Sequence, residues 1–261
     1  MANSFKQMIK NGVIKRRDEG MFIRLDDIHV KPDFNQRLDD ERTRQADDEL
    51  FNYLMRGSIV PAIEVTEHEE RGVWVVEGHR RLRCYQRCRD AGQPVEWIAI
   101  TRFTGNDVER IARIMTSNNQ LPLTAYEQAM VVKKLMAFNL TPNEIAQLIH
   151  KSRPTVDKLI TLATSNHDVQ KMVKGGDVAM SVAVERVKEH GEKASEVLEA
   201  DVEKAKAAGK KKVTQSVAAP QFSATKARKI VELISKFEFK DGYYSVDPAD
   251  FSAAMMYLEE Y

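Results

Sequence analysis

"VVEGHRRLRCYQ" (residues 75–86) is the stretch on which the fold turns. An apolar pair and a glycine lead into a segment that holds five arginines among Gly78–Arg89. A glycine that closes a strand and opens a helix lets a ligand come close to the backbone. The unpaired N–H groups of the first helical turn, together with the helix dipole, favour an anion there. Arg80 and Arg81 add the planar, bidentate contacts that suit phosphate. Arg83, Arg87 and Arg89 are explained equally well by solvation or by pairing with acidic residues. A basic, solvated helix face therefore competes with a phosphate site, and "GHRR" alone does not choose between them.

Working outward, "AIEVTE" and "GVWVVEG" read as two strands joined by a charged turn at His68–Arg71, and "VEWIAIT" as a strand after a helix from about Arg80 to Ala91. Before them, "MFIRLDDIHV" has strand-like apolar spacing and "KPDFNQRLDD" is a proline-containing loop. "TRQADDELFNYLMRG" has helical periodicity through Leu50, Phe51 and Leu54 and stops at Gly57. This β-α-β-β-α-β succession makes residues 21–104 a small α/β unit. Residues 1–20, polar and mixed in charge, read as an arm or a short helix.

After residue 104 the chain turns almost wholly helical, and "LTPNEIAQLIHKSRPTVDKLITLA" (140–163) is its sharpest local signal. Thr141 suits an N-cap, Pro142 the first helical position, and Glu144 closes a capping box. Ile145, Leu148 and Ile149 give that helix one apolar face. After a brief "HK" connection Ser152 caps a second helix, whose buried face is Val156, Leu159, Ile160 and Ala163. Two helices so joined suit a DNA-reading tri-helical core, in which the first braces the second and the second enters the major groove. Arg153, Thr155 and Lys158 would lie on the exposed side, Arg153 toward base edges or phosphate and Lys158 toward phosphate, with the capping hydroxyls of Thr141 and Ser152 at the helix openings. An ordinary helical hairpin gives the same local pattern.

Bulk properties narrow the classes. The chain has 261 residues, 43% hydrophobic and 30% charged, with a net charge of +1. It is not a polycation, so any nucleic-acid surface must be local and offset by acidic regions elsewhere. No apolar run approaches the ~20 residues that cross a bilayer, and the N-terminus lacks the layout of a secretory signal. Cys84 and Cys88 stand four apart, which suits helix packing better than a disulfide or a CxxC site. A reduced, cytoplasmic, DNA-associated protein is the expectation. Toward the C-terminus, "EKASEVLEADVEKAKAAGKKKVTQSVAAP" reads as a helix running into a linker. The last segment shows two helix patterns around "KDGYY", with Phe251, Met255, Met256 and Leu258 at near-helical spacing, expected to be core. The expected organisation is an arm (1–20), an α/β domain (21–120), a helical domain (121–200), a linker (201–220) and a small C-terminal unit (221–261) for dimerisation or partner binding. The fold class is α+β.

Taken in order, these signals resemble the ParB family of chromosome and plasmid partition proteins. "GHRRLRC" resembles the family's GERRxRA box. "IHVKPDFNQRLDD" is similar to its first box, I-x-x-N-P-x-Q-P-R-x-x-F. "TSNNQLPLTAYEQA" matches the tail of its ENxxRxxLxPxEEA region through Leu123, Glu127 and Ala129. Residues 140–163 resemble its helix-turn-helix, and "HDVQKMVKGGDVAMSVA" the segment that follows, so the resemblance covers about residues 21–190. It implies an N-terminal domain of the ParB/sulfiredoxin-like fold that binds CTP with Mg2+, and a helix-turn-helix that loads on double-stranded DNA at a palindromic centromere-like or operator site. It further implies a homodimer whose N-terminal domains engage as a sliding clamp, and a ParA-type ATPase partner.

By position, the resemblance assigns the triphosphate to Gly78, Arg80 and Arg81. Arg37 falls near the nucleotide or the engaging partner, and Ser117, Asn118 and Asn119 fall at the phosphate and metal contacts, with Asn118 as the Mg2+ ligand. The departures are specific. His79 replaces the glutamate of GERR, Gln120 stands where the family has arginine, and the third box keeps no glutamate. A neutral amide still ligates hard magnesium through oxygen. With no carboxylate nearby to orient water, CTP binding is expected above CTP hydrolysis, leaving at most a weak CTPase. A transcriptional regulator of the same family is the competing function. Sulfiredoxin chemistry is disfavoured because no cysteine stands between Gly78 and His79, and nuclease chemistry because no carboxylate cluster is evident.

Overall fold

The computed structural model describes residues 4–17, 20–117, 121–218, 224–240 and 243–259, which divide into two units, residues 1–174 and 175–261. The first unit opens with α1 (Phe5–Lys10), capped by the Ser4 hydroxyl, and β1 (Ile14–Arg17). Then come β2 (Gly20–Arg24), a 3-10 turn at Leu25–Asp27, β3 (Ile28–His29), α2 (Glu41–Met55), β4 (Ile63–Glu67), β5 (Val73–Glu77), α3 (His79–Asp90) and β6 (Trp97–Arg102). Six strands form one mixed sheet in the order β1-β2-β6-β4-β5-β3. β4 and β6 run parallel, with Ile63 opposite Ile100, and a parallel pairing needs a crossover, which α3 supplies.

Alternation along the strands sends Ile63, Val65, Val73, Val75, Ile98 and Ile100 into one buried cluster with Leu82 of α3. Phe5, Met8 and Ile14 belong to the same cluster, and β1 pairs antiparallel with β2. Within the segment expected as an arm, residues 5–17 are therefore part of the domain. Phe5, Met8 and Ile9 make one short apolar face whose signal is diluted by polar neighbours, and in β1 only Ile14 is buried.

The helical part of this unit comprises α4 (Asp107–Thr116), α5 (Ala125–Met136), α6 (Pro142–Leu148), α7 (Arg153–Thr164) and α8 (His167–Gly175). The helix-turn-helix forms where the sequence places it, with Thr141 and Ser152 as N-caps and a capping box between Thr141 and Glu144. Its turn closes as a Schellman motif. Lys151 N–H donates to Ala146 O at 3.0 Å, and His150 takes the left-handed position (φ 53°) that glycine usually fills. Within α7, Leu162 joins Val156, Leu159 and Ala163 in the buried face, while Ile160 is only half-buried.

One buried carboxylate joins the loop before α2 to the start of α5. Glu127 is 0% exposed, and it accepts hydrogen bonds from Leu38 N–H (2.7 Å), Thr124 N–H (2.6 Å) and Arg42 Nη2 (3.3 Å). Arg37 Nη2 donates to Leu121 O at 2.6 Å and Arg42 Nη1 to Pro122 O at 2.8 Å. Residues 37–42 and 121–127 are thereby fixed to one another.

The second unit holds α9 (Met180–His190), a 3-10 turn at Gly191–Lys193, α10 (Ala194–Ala207), α11 (Gln215–Ala218), α12 (Ala224–Ile234), β7 (Glu238–Lys240), β8 (Tyr243–Ser245) and α13 (Pro248–Glu259). Arg186 of α9 reaches the buried Asp201 of α10 at 3.0 Å. Of the stretch expected as a linker, the described residues 201–218 carry regular structure: α10 runs to Ala207, and the buried Val213 makes a parallel bridge with Val178. In the C-terminal segment the two expected helices enclose a β7–β8 hairpin. Its strands carry three residues each, too few for a clear two-residue alternation. The expectation of a core there also fails, because Phe251 is 50% and Met256 65% exposed, and Met255 is exposed as well. The Leu258 side chain lies outside the described residues.

Replacing Glu127 with alanine strands two backbone donors and uncouples Arg42. Glu127→Ala is expected to cost about 3–5 kcal/mol of unfolding free energy, read from urea titrations, with Glu127→Gln losing distinctly less.

Candidate nucleotide cavity and nucleic-acid interface

At the mouth of α3 lies a cavity of about 770 Å³, and Arg37, Gly78, His79, Arg80, Arg81 and Ser117 all line it. Asn118 and Asn119 lie outside the described residues. Gly78 is the N-cap of α3 with φ 106° and no side-chain cap. A Cβ there would sit 3.1 Å from Arg81 Nη2 and 3.2 Å from Ile63 Cγ1 in a backbone conformation that side chains resist, so glycine is required at this bend. The first-turn N–H groups are left without a side-chain acceptor, which is the arrangement an anion can use.

The two arginines differ. Arg80 sends Nε to Asp47 Oδ1 at 2.6 Å, and the buried Asp47 also receives Arg83 Nη2 at 2.7 Å. Arg81 donates to Ala62 O at 2.7 Å, to Pro61 O and to the Glu77 carboxylate, and burial lowers its pKa. Its fork ties α3 to the chain entering β4. Arg37 is likewise lowered by burial, with Glu127 opposing the shift. On the outer face, Arg87 pairs with Asp48 (2.7 Å) and Arg89 with Asp26 (2.6 Å), the acidic pairing that the sequence allowed.

His79 stacks on Phe34, the ring centroids 5.9 Å apart and the planes 26° from parallel. The residue is half-buried, but its Nε2 is shut off from solvent and has no hydrogen-bond partner among the described residues. Burial, and secondarily the charge of Arg83, pushes its pKa down to about 4, so the ring is neutral at pH 7. Ser117 Oγ donates to Arg113 O at 2.7 Å.

Sequence reasoning missed the cavity's carboxylates and expected none nearby. Glu49, Glu64 and Glu77 line it. Glu64 and Glu77 stand opposite each other on β4 and β5, and Glu64 follows the buried Ile63, so two-residue alternation was the signal. Arg113 holds Glu64 (Nε to Oε2, 2.7 Å), and Arg81 holds Glu77. Among the described residues no three His, Cys, Asp or Glu side chains converge as a metal site.

In the helix-turn-helix, Arg153 and Lys158 are exposed and Thr155 is half-buried. Arg153 bonds Asp157 Oδ1 (2.8 Å) and Asn143 Oδ1 (2.7 Å), which orients its guanidinium across α6 and α7. The Thr141 hydroxyl donates to Glu144 (2.6 Å), and the Ser152 hydroxyl accepts from Thr155 N–H (3.4 Å), so both are engaged in capping.

The lowered pKa of His79 sets a pH dependence. Its unfolded value is near 6.5, so between pH 6.5 and 4 the unfolded chain binds more protons than the folded one. The stabilisation is complete above pH 6.5 and is lost as pH falls toward 4, by at most about 3 kcal/mol. Denaturant titrations from pH 7 to 4 should show a flatter profile for His79→Gln than for the parent chain.

Residues 122–211 match the family described as the ParB HTH domain. The curated "Probable chromosome-partitioning protein ParB" of Vibrio cholerae serotype O1 is 28% identical over 181 residues, 69% of this chain and 60% of that protein. The chain thus spans less than two thirds of the relative's length. Among solved structures, the C-terminally truncated ParB of Caulobacter crescentus complexed to the centromeric parS site is 23% identical, with 70% of this chain and 91% of that one covered and a TM-score of 0.48. The same protein complexed with CTP-gamma-S is 22% identical, with 69% and 96% covered and a TM-score of 0.32. Residues 122–211 thus match a ParB HTH domain, and the chain as a whole is similar to ParB partition proteins.

Proposed function

We propose that the chain is a sequence-specific DNA-binding protein of genome partition, plasmid or phage in type, in which CTP in the α3 cavity controls engagement of two copies as a DNA clamp. One observation carries the reading: Arg37, Gly78, His79, Arg80 and Ser117, chosen from sequence, line a single cavity. The cavity lies in the same unit as a formed helix-turn-helix. Gly78 presents backbone donors, and Arg80 and Arg37 supply positive charge at the cavity wall. Arg81 chiefly holds the frame. A ligand that contacts these groups better in the engaged dimer than in the open one shifts the balance toward closure, as any differential ligand must. Glu64 and Glu77 are occupied by arginines, which favours binding over hydrolysis. Mg2+ keeps Asn118 as its protein ligand by position only, and no step is assigned to the metal. The exposed apolar side chains of Val231, Ile234, Phe239, Tyr244, Phe251 and Met256 suit homodimerisation, and a ParA-type ATPase is the partner that partition requires. A transcriptional regulator is the second reading, favoured by the engagement of Arg81 with three internal acceptors.

Titrating the four ribonucleoside triphosphates, with and without DNA bearing the recognition site, separates the two readings. Arg80→Ala should weaken CTP by at least about tenfold, the worth of one charge-assisted hydrogen bond, while leaving site-specific DNA binding intact. Unchanged CTP affinity leaves the regulator. Replacing Arg153 and Lys158 with alanine should weaken DNA binding and reduce the slope of log K against log salt by about 0.9 for each phosphate no longer neutralised. An unaltered slope moves the DNA surface away from α7.

A further inference from the structure

Residues 204–231 contain eight lysines and arginines and no aspartate or glutamate. In a chain of net charge +1 this leaves the other 233 residues at −7. Five of those cations, Lys204, Lys206, Lys210, Lys211 and Lys212, are exposed at the end of α10 and in the turn after it. We propose that this lysine turn is a second contact to the DNA backbone, outside the helix-turn-helix and indifferent to sequence. The proposal rests on the DNA-binding reading above.

The turn is fixed at both ends. α10 closes as a Schellman motif around Gly209 (φ 67°), with Gly209 N–H donating to Lys206 O (2.9 Å) and Lys210 N–H to Ala205 O (2.8 Å). Three residues on, the buried Val213 donates to Asp177 O (2.7 Å) and accepts from Ala179 N–H (2.9 Å). Lys210–Lys212 therefore project from an anchored backbone, and binding need not order that backbone again.

The outer face of α3 shows what an ordinary basic surface looks like in this protein. There Arg83, Arg87 and Arg89 are each paired with an aspartate. Glu203 precedes Lys204, but Lys210–Lys212 have no aspartate or glutamate within six residues in sequence, and none of the five lysines forms an ion pair among the described residues. Lys204 and Lys206 complement the C-terminal carbonyls of α10, but Lys210–Lys212 lie beyond the helix, where the dipole no longer accounts for them. A dense row of fixed anions is the complementary partner, and duplex DNA supplies one charge about every 1.7 Å whatever its sequence.

The experiment compares the full chain with Lys210→Gln/Lys211→Gln/Lys212→Gln in anisotropy titrations against a duplex of scrambled sequence across a salt series. Affinity should fall about tenfold or more, and the salt slope should drop by about 2 to 3, near 0.9 for each phosphate given up. Equal slopes for parent and variant overturn the proposal while leaving the helix-turn-helix reading standing. A parent chain that binds no duplex, with or without a recognition site, overturns both. Phosphatidylserine vesicles serve as the other anionic probe. A variant that loses vesicle binding but keeps its affinity for the scrambled duplex assigns the turn to lipid, and overturns the proposal.

Discussion

A charge inside a protein survives only if its surroundings replace water, and Glu127 is the place where this chain meets that demand most completely. Its two oxygens are shared among the backbone N–H groups of Leu38 and Thr124 and the guanidinium of Arg42. The carboxylate is at once the capping-box residue of α5 and the acceptor that holds the loop carrying Arg37. Arg37 lines the cavity and α5 leads into the helix-turn-helix, so one side chain bonds directly to Leu38, the neighbour of Arg37, and to the first turn of α5. If Arg37 moves toward a bound anion, the bonds that Glu127 makes to Leu38 and Thr124 are the route by which α5 would feel it. A link of this kind couples two sites only if it has two arrangements, and that is the condition the proposed switch has to meet.

Within the cavity the arginines are already in use. Asp47 holds Arg80 and Arg83, Glu77 holds Arg81, and Glu64 holds Arg113. An incoming polyanion must offer Arg80 more than Asp47 does, and the backbone donors at the mouth of α3, which no side chain among the described residues caps, would weigh on its side of that competition. His79 adds no charge at neutral pH, whereas a glutamate in its place would repel a phosphate. The substitution thus makes the mouth of the cavity less hostile to anions without adding an ion pair.

What the sequence made legible follows the range of the interactions. The helix-turn-helix was readable to its caps, since Thr141–Glu144 and Ser152–Thr155 are bonds three residues long. The strands around Gly78 were readable from their apolar alternation. The i,i+4 pair Glu77–Arg81 was equally local and was passed over, because the arginine was read toward a ligand rather than toward its own helix. The partners of Arg80 and Arg113 were beyond reach: Asp47 and Glu64 lie 33 and 49 residues away, and only the assembled sheet brings them near. The α1–β1 segment and the β7–β8 hairpin failed for another reason, being too short for periodicity to rise above their polar neighbours.

The separation of charge along the chain bears on how DNA would be held. On the proposed reading, specificity in α6 and α7 would rest on a few exposed side chains, of which Arg153 is already oriented by Asp157 and Asn143. Such a surface would supply discrimination more than grip. The lysine turn has the opposite character, with many charges and no geometry to read a base. Each belongs to its own unit, joined by continuous chain. Two modest contacts linked in this way act at high effective concentration for one another, so their combined hold exceeds either alone. If both proposed contacts hold, a reader with few contacts and a holder with no sequence preference would together allow retention after the recognition site has been left, because phosphates continue along the whole duplex while the base code does not.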